Sequence, residues 1–249
     1  MRPATMNEPV LKLSGIQKSF GETPVLRGID LQVRAGEVVA LIGASGSGKS
    51  TLLRITNLLE SIDDGQIFLS GEDISDPRIN QDKIRARIGF VFQQFNLFPH
   101  WSVLRNVTEP LRVVHGLSKE EANTRAEKLL ERIGLGVKSD VHPDQLSGGQ
   151  QQRAAIIRAI ASEPELLLLD EITSSLDPQL VGEVLSLVKE LKAGGATILM
   201  ATHEIGFAKE VADRVVFLDH GVIHEEGPAV ELLTNPKQPR TREFLERFI

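Results

Sequence analysis

Eight residues, Gly43-Ala-Ser-Gly-Ser-Gly-Lys-Ser50, carry three glycines, three serines and a lysine in the spacing G-x-x-x-x-G-K-[ST]. That spacing suits the phosphates of a nucleoside triphosphate. Gly43, Gly46 and Gly48 permit backbone conformations that a side chain forbids. The loop through Ala44, Ser45 and Ser47 can then wrap anionic oxygens with its N–H groups, and Thr51 closes the phosphate-binding stretch. Lys49 places a cation among the β- and γ-phosphates. The Ser50 hydroxyl is a hard oxygen donor suited to Mg2+. Glu37 to Ile42, just before the loop, is an apolar run predicted to be a buried strand. Ser50 to Leu59, just after it, repeats Leu52, Leu53, Ile55, Leu58 and Leu59 at helical spacing. Such a helix turns the positive end of its dipole toward the phosphates. Kinases, GTPases and ATPases all remain open at this point.

A second set of groups lies downstream. Leu166-Leu-Leu-Leu-Asp170-Glu171 reads as a central strand, buried on both faces, that ends in two carboxylates. Ligands of open α/β sheets gather at the carboxyl ends of strands. Asp170 would hold a metal there, through water, and Glu171 is free to polarise an attacking water. Leu146-Ser147-Gly148-Gly149-Gln150 opens an apolar helix and makes a second anion-binding helix start. Two triphosphate-gripping helix starts in one chain suggest head-to-tail pairing of two copies. The phosphate loop of one copy would face the Ser-Gly-Gly of the other, with two ATP molecules in the seam.

With these phrases in this order, the chain resembles the ATP-binding cassette (ABC) ATPases, the motor subunits of ABC transporters. The resemblance runs from about residue 11 to the end and rests on six motifs. It implies that Phe20, in Ile-Gln-Lys-Ser-Phe-Gly, stacks on adenine, although packing in the core is an alternative for this ring. Gln93 matches the family's Mg2+-contacting glutamine. Ser175-Leu-Asp177 matches the loop that crosses between paired copies. His203 matches the histidine that reaches the γ-phosphate. The metal set is then Ser50, Gln93 and Asp170, and the catalytic set Glu171, His203 and Lys49, acting on ATP with Mg2+. Two positions depart from the family's wording. Ile172 stands where proline is usual, which predicts a somewhat freer loop, and Ser175 where alanine is commoner. Neither removes a chemical group.

These side chains need a scaffold. Residues 11 to 34 alternate as strands, and 65–69 and 88–92 add two more. Residues 102 to 162 are predicted mainly helical, with Ala122, Ala126, Leu129, Leu130 and Ile133 on one face. From residue 165 strands and helices alternate: a helix at 178–192, a strand at 196–201, a helix at 204–212, a strand at 214–219 and a closing helix at 239–248. The expected fold is α/β, a phosphate-loop nucleoside triphosphate hydrolase core with an antiparallel β subdomain and an inserted α-helical subdomain at about 102–162. Residues 1–10 are expected to form a tail and 11–249 one ABC ATPase domain, with no appended regulatory domain.

The chain has 249 residues, no cysteine and a net charge of −6. The charge argues against a nucleic-acid partner. Lack of cysteine excludes disulfides and zinc–thiolate sites. No run of about 18 apolar residues predicts a membrane span, and the first residues lack the apolar core of a signal peptide. The expected location is the cytoplasm, on the inner face of the membrane, beside permease subunits in other chains.

Phe90, Phe92, Phe95, Phe98 and Trp101 fall within twelve residues. Phe90 and Phe92 are expected in a strand and partly in the core. The other three, in a loop next to Gln93, suggest a permease-docking pocket between Gln93 and Trp101, with covering of the helical subdomain as the alternative. Phrases such as Phe92 to His100, Thr202 to Ala208 and Asp219 to Gly221 are similar to the bacterial polar amino acid uptake ATPases. That resemblance implies an importer motor working with a separate solute-binding protein. Opines, ectoine-like solutes and a non-transport ABC protein are the alternatives.

Overall fold

The computed structural model describes residues 8 to 247. Most of the expected tail of residues 1–10, and position 248 of the expected closing helix, lie outside the described residues. An antiparallel sheet comes first in the chain. Its strands β1 (Leu11–Phe20) and β2 (Thr23–Val33) turn tightly at Gly21, and β4 (Asp64–Leu69) and β5 (Glu72–Asp73) extend it in the order β2-β1-β4-β5. Leu11, Leu13 and Ile16 pair with Val33, Leu31 and Ile29 and are buried. β3 (Val38–Ile42) follows β2 and belongs to a second sheet.

That second sheet is mostly parallel. It takes in β6 (Ile88–Val91), β7 (Leu166–Asp170), β8 (Ile198–Ala201), β9 (Arg214–Asp219) and β10 (Val222–Pro228), ordered β10-β9-β3-β8-β7-β6. Only β10 runs antiparallel to its neighbour. β3 and β7 are buried along their whole length because each strand feeds two cores. Val39, Leu41, Leu166 and Leu168 face the antiparallel sheet and α1 (Lys49–Thr56). Val38, Ala40, Ile42, Leu167 and Leu169 face the helices that follow β6 in the chain. An unbroken apolar run is the sequence signature of such a strand. Cutting a buried leucine here to alanine should cost about 2–5 kcal/mol.

The helices explain their own limits. α1 stops at Thr56, earlier than the spacing predicts, because Leu58 takes a left-handed conformation (φ 54). Leu59 consequently points to solvent. α2 (Gln81–Arg85) is capped by the Asn80 side chain. The helical region holds α3 (Val103–Val113), α4 (Lys119–Arg132) and α5 (Gly148–Ile160). Ser118 and Glu121 form a reciprocal capping box at the start of α4, satisfying two end groups that a helix otherwise leaves open. Ala122, Ala126 and Leu130 are its buried stripe. α6 (Pro178–Ala193), α7 (Ile205–Val211), α8 (Ala229–Thr234) and α9 (Pro239–Leu245) complete the chain. Among the described residues, no helix is long and apolar enough to cross a membrane.

Candidate nucleotide site

Three strand ends meet at one edge of the parallel sheet. Leu41, Ala201 and Asp170 stand in register across β3, β8 and β7. Past that register β7 and β8 leave the sheet, and β3 leaves it one residue later, after Ile42. The Thr202 amide donates to Leu41 O (3.1 Å), and the Glu171 amide donates to Ala201 O (2.9 Å). The phosphate loop, His203 and Glu171 are thereby fixed side by side, although they come from positions 43, 203 and 171.

The loop is shaped by its surroundings. A Cβ on Gly43 would lie 2.0 Å from Leu218 O, and one on Gly48 2.7 Å from Leu26 Cδ2. Both glycines have positive φ, 153 and 107, which only glycine adopts freely. Leu52 N donates to Gly48 O and starts α1. Lys49 is 4 % exposed, so its ammonium has almost no water around it. It donates instead to Gly43 O (2.9 Å) and Ala44 O (3.1 Å). Burial pulls its pKa below the ordinary lysine value, and the nearby Glu171 and Asp170 carboxylates offset part of that.

Ser50 Oγ donates to Asp170 Oδ1 at 2.7 Å. Burial raises the Asp170 carboxyl above the usual range, the Ser50 hydroxyl lowers it, and the Glu171 charge raises it further. A divalent cation would remove that unfavourable charge balance. The donor set, one carboxylate and one hydroxyl with the Gln93 amide nearby, fits Mg2+, which takes few protein ligands and completes its shell with phosphate oxygens and water. Among the described residues no three His, Cys, Asp or Glu gather as a metal cage.

Glu171 is left-handed (φ 47) at the end of β7. Ser174 donates to its carbonyl through both Oγ (2.8 Å) and N (3.1 Å). Its carboxylate faces Lys49 Nζ at 3.8 Å and His203 Nδ1 at 3.7 Å. Ile172, in place of the usual proline, is buried in the core. Side-chain packing therefore anchors the loop that was expected to be freer.

Phe20, Ser45, Gly46, Gly48, Lys49, Ser50, Thr51, Gln93 and Glu171 line one cleft of about 510 Å3. Phe20 is 48 % exposed, so it is not a core residue. Ser147, Gly148, Gly149, Gln150 and Asp177 do not line this cleft. Ser147 caps α5, with its hydroxyl accepting from Gln150 N while Gln150 Oε1 accepts from Ser147 N. Asp177 caps α6 through Gln179 N (3.0 Å). Both sets are built on the same chain as the cleft yet stand outside it.

Phe92 falls just past the end of β6 at Val91, outside the strand expected to hold it, and Phe95 packs against the core. Phe90 lies in β6 and packs on Phe92, ring centroids 4.3 Å apart. Phe98 packs on Trp101 in the following loop, also at 4.3 Å. Phe90, Phe92, Phe98, Val113, Val114 and Arg158 line a separate cavity of about 970 Å3. Phe92 and Gln93 are thus consecutive residues that line two different cavities.

Sequence reasoning missed Gly221. It sits with His220 in the two-residue turn from β9 to β10, both at positive φ (47 and 77), the signature of a type I′ turn. Its amide donates to Ser47 O (3.2 Å), and its carbonyl accepts from Arg27 N (2.9 Å). A turn glycine after an apolar strand was the available signal; its partners, being backbone atoms, left none.

Comparisons with known proteins bear on the chain as a whole. The family profile described as ABC transporter matches residues 26–174. A probable amino-acid ABC transporter ATP-binding protein of Sinorhizobium fredii is 50% identical, over 98% of this chain and 99% of its own length. The L-cystine transport system ATP-binding protein of Escherichia coli is also 50% identical, over 96% and 98%. A dimeric ATP-binding cassette in a post-hydrolysis state, bound to ADP and Pi, is 36% identical with a TM-score of 0.79, covering 88% of this chain and 98% of that one.

Proposed function

This chain belongs to the ABC transporter family, and we propose that it is the ATP-hydrolysing motor of an importer for polar amino acids. Hydrolysis of ATP is the activity of the family fold. The observation that carries the residue roles is the meeting of Lys49, Glu171, His203 and the Ser50–Asp170 pair at the ends of three adjacent strands. Amino acids as cargo are supported by what the two bacterial relatives are named for.

In this reading the amides of Gly43 to Thr51 cradle the phosphates and Phe20 stacks on adenine. Lys49 lies under the β- and γ-phosphates, where its two carbonyl bonds would be exchanged for phosphate oxygens. Glu171 accepts a proton from the attacking water and aims it in line. His203 and Lys49 stabilise charge on the γ-phosphate. Ser50, Gln93 and Asp170 would hold Mg2+, which supplies positive charge across the phosphate oxygens when bound.

Five of the residues that the cleft leaves out fit a second copy. Ser147, Gly148, Gly149 and Gln150 open a helix of 13 residues, a ready anion site. Asp177 belongs to the loop that would cross the seam. Two copies paired head to tail would put these groups over each other's ATP, as the dimeric cassette structure of the relative invites. The cavity beside Phe92 is the docking place for a permease subunit, and Gln93 passes the state of the γ-phosphate to it. A separate solute-binding protein would deliver the cargo, and the motor would work at the inner face of the membrane.

The test is uptake of a labelled panel of polar amino acids and opines by cells carrying either the native gene or Glu171→Gln alone. Loss of uptake for one chemical group supports the importer and names its cargo class. Undiminished uptake across the panel, with the variant protein present, sinks the amino acid assignment.

A further inference from the structure

A benzene ring has two faces, and on Phe20 one of them is already occupied. Lys18 Nζ lies 5.1 Å from the ring centroid, within cation–π range. Lys18 is unusual for a lysine, being only 7 % exposed near the end of β1, a strand paired on both sides. Lysine is almost never this buried unless its charge is satisfied. Here the ammonium has three partners: the Phe20 ring, Ser61 Oγ at 3.3 Å and Asp63 Oδ1 at 3.6 Å.

The chain around it is built to keep it there. Asp63 also accepts from Ser19 N through Oδ2 (2.6 Å), and the Asp63 amide donates to Gln17 O (2.9 Å). Three consecutive residues of β1 beside the ring, Gln17, Lys18 and Ser19, are therefore tied to the 61–63 segment. Phe20 itself is half-exposed and lines the cleft with the phosphate loop. A half-exposed phenyl ring at a strand end would otherwise be free to change rotamer.

We infer that Lys18 is a positioning residue for the base: its ammonium holds the Phe20 ring from one face and so presents the other face, in a fixed orientation, as the stacking platform for adenine. The inference rests on the reading of Phe20 as the adenine contact. Two effects follow from the arrangement. The ring loses less freedom when a base lands on it, and the cation behind it draws electron density away from the open face. Both strengthen stacking with a purine, and neither touches the phosphates.

The measurement is calorimetric titration of the full chain with MgADP and, separately, with magnesium pyrophosphate, which has phosphates and no base. Lys18→Met should weaken ADP about three- to fivefold, the worth of a partly exposed cation–π contact, and leave pyrophosphate unchanged. Lys18→Arg should restore ADP binding, since a guanidinium can sit over the same face. Phe20→Ala should weaken ADP by roughly tenfold, and adding Lys18→Met to it should cause no further loss. If Phe20→Ala weakens ADP while Lys18→Met does not, the inference is overturned and the adenine reading stands. Equal weakening of ADP and pyrophosphate by Lys18→Met, or weakening that persists without the ring, overturns it in favour of a structural staple. Unchanged ADP affinity in Phe20→Ala removes the platform itself and the inference with it.

Discussion

Lys49 and Glu171 face each other across the cleft, with 3.8 Å between Nζ and Oε1. That is an ionic contact and too long for a hydrogen bond. The carboxylate is held in place electrostatically while its oxygens stay free to accept from water.

Glu171→Gln keeps the shape and removes the base. Hydrolysis should fall by about 10²–10⁴-fold, the usual worth of a positioned general base. ATP binding should persist, and an ATP-bound dimer should accumulate. Phosphate release together with size-exclusion chromatography reads both; hydrolysis at the native rate would mean that another group activates the water.

Ser147 and Lys49 offer a test of which copy completes which site. Lys49→Met and Ser147→Arg should each be inactive alone. Mixed in equal amounts, head-to-tail dimers contain one intact site in half of the pairs, so activity should return to about a quarter of the native value. No recovery, with dimers formed, would place both groups over the same ATP within one chain.

Away from the cleft, Arg87 bridges Glu165 and Glu72 and ties β6 to the antiparallel sheet. Its hydrogen bonds to Glu165 hold that carboxyl below the usual range, burial opposes this, and the Ser70 hydroxyl adds to the lowering. A carboxyl lowered in the folded state stabilises the fold above its unfolded pKa and loses that contribution as pH falls through the folded value. Glu165→Gln should cost about 0.5–1 kcal/mol near neutral pH, given the partial exposure of the pair. The deficit should shrink steadily as pH is lowered below about 5. Urea unfolding across that range decides; a deficit constant with pH would assign the loss to packing.

Trp101 stacks on Phe98 outside the nucleotide cleft. Trp101→Ala should leave ATP affinity within about twofold of native and lower solute uptake in cells severalfold. Native uptake in the variant would show that the aromatic loop only covers the helices behind it.

The groups proposed to do the chemistry were legible in the sequence because their types announce them. Lys49, Ser50, Asp170, Glu171 and His203 do converge. Ala122, Ala126 and Leu130 bury the predicted stripe of α4. What escaped was structure without a periodic apolar signal. α2 buries only Ile84 along five residues, and β10, an edge strand reading Val-Ile-His-Glu-Glu-Gly-Pro, looks like a polar loop until β9 pairs with it. The end of α1 was misplaced because Leu58 and Leu59 continue the helical spacing after the backbone has turned left-handed. Periodicity reports side-chain pattern, and the chain here broke on backbone conformation.

The turn at Gly221 joins three pieces that the chain makes far apart. It bonds through its amide to the phosphate loop at Ser47, and through its carbonyl to Arg27 of β2. A Cβ there would stand 2.3 Å from Val25 O, so no side chain can be inserted as a spacer. The two sheets are consequently riveted at the loop proposed to bind phosphate. Any sliding of one sheet over the other must strain the loop, and any ligand that stiffens the loop must resist the sliding. Grip on the nucleotide and rigidity of the whole molecule become one mechanical quantity.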